Sequence, residues 1–192
     1  MGGRARRPLG QVPLSGDPPT GENRQMKTER HVVLIAPEVH WNTGNIGRTC
    51  LGVGARLHLI EPLGFSLSGK AVKRAGLDYW PRVDLKVWQN WEAFSASQQP
   101  LPEEIALLSK NGSRSFWEIT PGKRQFLVFG SETAGLPEAI CRRYPDRTYH
   151  IPISRQIRCL NLSTAVGIVL YESLRTSGLG HEWPPAADGA GG

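Results

Sequence analysis

Pro37-Glu38-Val39-His40-Trp41-Asn42-Thr43-Gly44-Asn45-Ile46-Gly47-Arg48-Thr49-Cys50, entered directly from the apolar run His31–Ala36, reads as a buried strand that delivers the chain into a loop of small and polar residues. A helix then starts near Asn45, with Arg48 in its first turns. Such an arrangement gathers exposed amide N–H groups, the positive end of a helix and a guanidinium, the combination that a phosphate or sugar-phosphate requires. The side chains of Asn42, Thr43 and Asn45 suit helix capping equally well, so this segment by itself leaves both readings open.

Further apolar runs bounded by Gly, Pro or charge recur along the chain, at Val32–Ala36, Leu57–Ile60, Val83–Trp88, Ile105–Leu108, Phe126–Phe129 and Thr148–Ile153. Most lack strict alternation, as strands covered on both faces do. Helical patterns separate them, over Asn45–Val53, Lys70–Ala75, Trp91–Ser97, Pro137–Arg143 and Leu160–Ser177. The alternation predicts an α/β domain with a mainly parallel central sheet flanked by helices. In the last helix Leu162, Ala165, Val166, Val169 and Leu170 form one stripe, while Ile168 and Tyr171 lie off it beside Gly167. The second face predicts a homodimer through Leu160–Ser177; the alternative is a helix enclosed in its own monomer.

The chain of 192 residues, 39% hydrophobic and 21% charged, can bury one good core. Residues 1–30 carry Arg4, Arg6, Arg7, Arg24, Lys27 and Arg30 among many Gly and Pro and are expected to be a disordered basic tail. A domain over 31–177 follows, then a Gly/Pro/Ala tail over 178–192. The net charge of +6 permits a polyanionic partner. No run approaches the length of a membrane helix and the N-terminus lacks the apolar segment of a secretory signal, so a cytoplasmic, membrane-free protein is expected. The acid-free stretch from Arg4 to Arg7 is a faint trace of an organelle leader, outweighed by its Gly and Pro. Cys50, Cys141 and Cys159 show neither CxxC nor His/Cys pairing, and no metal site is expected. P-loop, GxGxxG and GxSxG patterns are absent. Of the histidines, His58 and His150 fall in or beside strands and read as structural, and only His40 lies in a candidate site loop.

Two later segments bear on the first. Gly130-Ser131-Glu132-Thr133-Ala134-Gly135-Leu136-Pro137 follows the strand Phe126–Phe129 as a glycine turn into a helix. Ligands of open α/β sheets sit beyond the carboxyl ends of the strands, so this loop and the Asn42 loop are expected to line one crevice, with the Glu132 carboxylate inside it. Read alone, Glu132 is equally a solvated loop acid. In the third segment a strand ends at Ile151-Pro152, a basic loop crosses through Arg155 and Arg158, and Cys159-Leu160-Asn161-Leu162-Ser163-Thr164 opens the long helix. Asn161 and Ser163 are placed to cap or to bind.

Taken together, Asn42-Thr43-Gly44-Asn45-Ile46-Gly47-Arg48, then Phe129-Gly130-Ser131-Glu132-Thr133-Ala134-Gly135-Leu136-Pro137, then Ile151-Pro152 with Asn161-Leu162-Ser163 and Tyr171-Glu172, resemble the SPOUT superfamily of RNA methyltransferases. Within it the chain is similar to the tRNA (cytidine/uridine-34) 2′-O-methyltransferase family. Leu59-Ile60-Glu61-Pro62, Gly64-Phe65 and Arg74-Ala75-Gly76-Leu77-Asp78-Tyr79 match as well, and the likeness runs from about His31 to Leu179. The resemblance implies an α/β fold with a C-terminal trefoil knot, S-adenosylmethionine as cofactor, tRNA as partner, and an active site assembled across a dimer. It assigns catalytic roles to Asn42, Arg48, Glu132, Asn161 and Ser163. Cofactor contacts fall on Leu107, Gly130, Ile151, Cys159 and Leu160, with the alignment at Leu107 loose by one residue. RNA contacts are assigned to Arg48, Lys73, Arg74, Arg155, Arg158 and Trp41.

The implied chemistry is displacement at a sulfonium methyl by a ribose 2′-oxygen. Because a guanidinium keeps its proton in proteins, Arg48 is read as a phosphate clamp and electrostatic stabiliser rather than a base. Three positions depart from the family's pattern: Cys159 stands for serine, Ala134 for a basic residue, and Trp41 for proline. Cys159 and Ala134 support an alternative, an RNA-binding protein that has kept the fold and lost catalysis. A further alternative moves the same chemistry to another tRNA position or to ribosomal RNA.

Overall fold

The structure, a computed structural model, describes residues 28–67 and 78–177. Among these, β1 (Glu29–Ile35), β2 (Arg56–Ile60), β3 (Leu85–Trp88), β4 (Ile105–Leu108), β5 (Arg114–Ser115), β6 (Arg124–Phe129) and β7 (Thr148–His150) form one sheet in the order β3-β2-β1-β6-β4-β7-β5. Every ladder in it is parallel. The helices are α1 (His40–Val53), α2 (Trp91–Gln98), α3 (Glu138–Arg143) and α4 (Leu162–Thr176).

Successive side chains of a strand point to opposite faces, and here both faces are dry. Val32, Leu34, Leu57, Leu59, Leu127 and Phe129 pack on one side with Ile46 and Cys50 of α1 and Val166, Val169 and Leu170 of α4. Val33, Ile35, Ile105, Leu107, Phe126 and Val128 pack on the other with Trp91 and Phe94 of α2 and Ile140 of α3. Double burial explains why these strands read as continuous apolar runs.

All six expected strands are present. The two-residue β5, too short to leave a pattern, is added at the sheet edge. β7 stops at His150, two residues before Pro152, which has no N–H to give a ladder. β1 begins at Glu29, so Glu29 and the buried Arg30 belong to the sheet rather than to the basic tail. The expected helix Lys70–Ala75 lies outside the described residues, as do the expected tails apart from residues 28–30. On α4 the stripe Val166, Val169, Leu170 is buried as read, whereas Ile168 and Tyr171 are exposed and a Cβ on Gly167 would meet open space. Among the described residues no helix is long and apolar enough to cross a membrane.

Two histidines are sealed between β1, β2 and β3. The Trp88 indole N–H donates to His58 Nδ1 (2.9 Å), so His58 carries its proton on Nε2 and donates to His31 Nδ1 (2.9 Å). The His31 proton then sits on Nε2, facing Glu29 Oε1 at 3.4 Å. Burial pushes His31 down to about 4 and His58 down to about 3. Both rings are neutral in the fold at neutral pH, while in the unfolded chain each takes a proton near its ordinary 6.5. Stability is therefore complete above about pH 6.5 and declines as pH falls toward 4, by at most about 1.4 kcal/mol per pH unit for each proton refused. Urea unfolding is expected to show a lower midpoint at pH 5 than at pH 7.5; equal midpoints would contradict the neutral pair.

Candidate active site

The chain leaves adjacent strands β1 and β6 at their carboxyl ends, and the loops that follow meet each other and the start of α4. One Glu132 oxygen, Oε1, accepts from Asn42 Nδ2 (2.8 Å), and the other, Oε2, accepts from the backbone N–H of Glu38 (2.8 Å). Asn42 Oδ1 accepts from Asn161 Nδ2 (2.9 Å). Asn161 Oδ1 accepts from the Ser163 hydroxyl (2.7 Å), the Ser163 N–H (2.9 Å) and the Thr164 N–H (3.4 Å). Four of the five expected catalytic residues thus form one continuous relay drawn from three separated stretches.

Chemistry fixes the direction of every bond in this relay. The free N–H groups of the first turn of α4 can only donate, so Asn161 must turn its oxygen to them and its nitrogen to Asn42. Asn42 is left with its amide nitrogen toward Glu132, which accepts only. The aligned dipoles run from Ser163 to the carboxylate and polarise one another. Ser163 Oγ, having donated its proton inward, has only lone pairs left to offer a ligand. Asn161 therefore caps the helix and belongs to the site at once.

Asn42 reaches this position from within a helix, which corrects the expected loop. α1 begins at His40 with Val39 as its N-cap and no side-chain cap, so Asn42 and Thr43 are buried first-turn residues rather than caps. Gly44 and Gly47 look like loop residues but serve close packing. The Gly44 carbonyl accepts from the buried Tyr79 hydroxyl (2.9 Å), and a Cβ on Gly47 would fall 2.5 Å from the Trp80 ring. Arg48 consequently lies eight residues beyond the first residue of the helix, about 12 Å along its axis, rather than in the first turns. Arg48 is exposed, lies over the Tyr79 ring at 4.5 Å, and is not among the residues hydrogen-bonded in the relay.

The sequence profile of the SpoU rRNA Methylase family matches residues 29–171. The chain belongs to that family. A tRNA (cytidine(34)-2'-O)-methyltransferase of Burkholderia ambifaria is 42% identical over 151 residues, 77% of this chain and 96% of the relative. A solved structure described under 2-OH methylation of C/U34 on tRNA has a TM-score of 0.70 and 42% identity, covering 77% of this chain and 95% of its own. An AdoMet-bound rRNA methyltransferase from Sinorhizobium meliloti has a TM-score of 0.67 and 28% identity, covering 77% of this chain and 56% of its own.

The remaining expected residues of this SpoU-family chain are distributed as follows. β6, β4 and β7 are neighbours in the sheet, so Gly130 and Ile151, directly after β6 and β7, and Leu107, the penultimate residue of β4, mark three adjacent strand ends. Leu107 itself is wholly buried, with its side chain in the core beside α2 and α3. Gly130 cannot be replaced without moving the turn, because its Cβ would fall 1.9 Å from the Gly135 carbonyl carbon, and Gly135 holds φ +73°. Cys159 is exposed and Leu160 half-buried just before α4; Arg155 and Arg158 are exposed in the crossing loop. Trp41, 63% exposed, packs edge-on against His40 on the first turn of α1. Lys73 and Arg74 lie outside the described residues. Sequence reasoning missed Glu38 and the ring of Tyr79 as partners of the site. Tyr79 carried a signal in the Arg74-to-Tyr79 match; Glu38 had none beyond its nearness to Asn42.

Proposed function

We propose that this chain is an S-adenosylmethionine-dependent methyltransferase that methylates the ribose 2′-oxygen of tRNA at the wobble nucleotide, cytidine or uridine 34. The relay from Ser163 to Glu132 is the observation that carries the reading, joined to the 42% identity with a relative named for that reaction. The residues fit the cofactor: two strand ends supply main-chain groups at Gly130 and Ile151, Gly130 itself has no side chain to fill the space, and half-buried Ile151 and Leu160 serve as apolar walls. When bound, S-adenosylmethionine supplies an electrophilic methyl on a sulfonium.

A ribose hydroxyl is a poor nucleophile, so the protein must orient it and stabilise the charge that develops on its oxygen. Ser163 Oγ, acceptor-only at the open end of the relay, orients the 2′-hydroxyl through its proton. Arg48 clamps the neighbouring phosphate bidentately and faces the developing oxyanion. Arg48 is not bonded into the relay of its own chain, and in a site shared between two copies Arg48 of one protomer completes the pocket of the other. The exposed Ile168 and Tyr171 and the open Gly167 on α4 are the proposed dimer face. Trp41, Arg155, Arg158, Lys73 and Arg74 are proposed to hold the RNA, the trefoil knot is carried with the same family reading, and the cytoplasm is the proposed location.

Nucleoside mass spectrometry of tRNA from a deletion strain and its parent tests the substrate. Loss of the 2′-O-methyl group at position 34 is expected; an unchanged wobble ribose with a loss in ribosomal RNA would move the chemistry there, as the family's description suggests. Cys159 is exposed, and a thiol is a weaker hydrogen-bonding group than the hydroxyl of serine, so a cofactor contact there is proposed to run through the backbone. Cys159→Ser is expected to retain or improve turnover in a methyl-transfer assay, and a collapse would give the thiol a role of its own.

A further inference from the structure

We propose that Glu38 is a positioning residue that sets the Glu132 carboxylate for methyl transfer, an inference that rests on the function proposed above. Three loops of the carboxyl edge converge on it. Its N–H holds Glu132 Oε2 (2.8 Å), and its own carboxylate accepts the hydroxyl of Thr133, the next residue along the same loop as Glu132. The loop after β2 closes from the other side: the Gly64 N–H donates to the Pro37 carbonyl (2.9 Å), and a Cβ on Gly64 would fall 2.6 Å from the Glu38 carbonyl oxygen. Glycine is thus required for Glu38 to be seated where it is.

Both Glu132 oxygens are occupied, by Asn42 and by the Glu38 main chain, so the carboxylate is a fixed anchor for the relay. The side-chain bond between Glu38 and Thr133 ties the two loops together, and with them the point at which the anchor is held. Releasing it lets Glu132 drift, Asn42 turns with Glu132, and the misdirection passes through Asn161 to the acceptor at Ser163. Glu38 and Thr133 are both exposed, and the core does not depend on either.

The test is a double-mutant cycle read by kinetics and by the side-chain amide resonance of Asn42. Glu38→Ala and Thr133→Val are each expected to lower kcat about tenfold with KM for RNA unchanged, and the pair together no further than either alone. Both shift the Asn42 amide resonance in the same direction. Glu38→Gln and Thr133→Ser keep the acceptor and the donor and are expected to stay within about twofold of the parent with the resonance in place. Losses that multiply in the double variant, or an Asn42 resonance unmoved by Glu38→Ala, overturn the proposal. A parent protein that transfers no methyl to RNA overturns the proposed function instead, and the resonance still decides the role of Glu38.

Discussion

Arg48→Ala is expected to lower methyl transfer to RNA by about 10²–10³-fold while leaving the fold, the proposed dimer and the proposed S-adenosylmethionine binding intact. Arg48 is exposed on α1, makes no ion pair with any described residue, and touches the fold through the Tyr79 ring. Losing that contact costs no more than about 1 kcal/mol of stability, the range of an exposed cation–π pair. The neighbouring helix turn is held independently by the Tyr79 hydroxyl on the Gly44 carbonyl. Arg48→Lys should recover little, since an ammonium cannot form the two parallel bonds of a guanidinium on phosphate. Transfer of tritiated methyl from S-adenosylmethionine to tRNA measures the loss, and calorimetry of the cofactor with the variant measures what is retained. A variant with full activity would remove Arg48 from the chemistry.

Arg30→Ala is expected to destabilise the fold by about 3 kcal/mol, the scale of buried acceptors that lose a charged hydrogen-bond donor. Arg30 is 4% exposed in β1. Its Nε donates to Ser173 Oγ (2.9 Å), Nη2 to the Ser173 carbonyl (3.0 Å) and to Ser177 Oγ, and Nη1 to the Thr28 carbonyl (3.0 Å). Ser173 in turn donates to Gln125 Oε1 of β6. One guanidinium therefore joins β1, β6 and the last turn of α4, whose carbonyls present the negative end of the helix. Among the described residues no carboxylate pairs with it. Alanine takes this donor from the Thr28 carbonyl and from Ser173 Oγ and leaves the Ser173 carbonyl only its longer bond from the Thr176 hydroxyl (3.3 Å), and lysine has too few donors to replace the fork. Thermal unfolding followed by circular dichroism should show a fall of roughly 10 °C for a domain of this size; a shift within 2–3 °C, about 1 kcal/mol, would show the cluster to be dispensable.

Much of the sheet can be read in advance because burial on both faces leaves a pattern. Ile105–Leu108 is a strand with the expected limits, and Phe126–Phe129 gains only Arg124 and Gln125. The relay residues were legible as types at loop positions, and their convergence follows from strands that all run the same way. What failed did so for identifiable reasons. Asn42, Thr43 and Gly44 have the composition of a loop, and their helical conformation is imposed by Tyr79 and Trp80 from a distant part of the chain. Arg30 looks like part of a basic tail because its partners, Ser173 and Gln125, are 143 residues and 95 residues away in sequence. Glu38 looks like a solvated acid because the partners of its N–H and of its carboxylate, Glu132 and Thr133, lie 94 and 95 residues away in sequence.

The most direct measurement is a crystal structure of the protein with S-adenosylmethionine. The account predicts the cofactor against the main chain of Gly130, Ile151 and Cys159-Leu160, with its methyl opening toward Ser163 and toward Arg48 of a second copy packed on α4. A cofactor bound elsewhere, away from the ends of β6, β4 and β7, would contradict it.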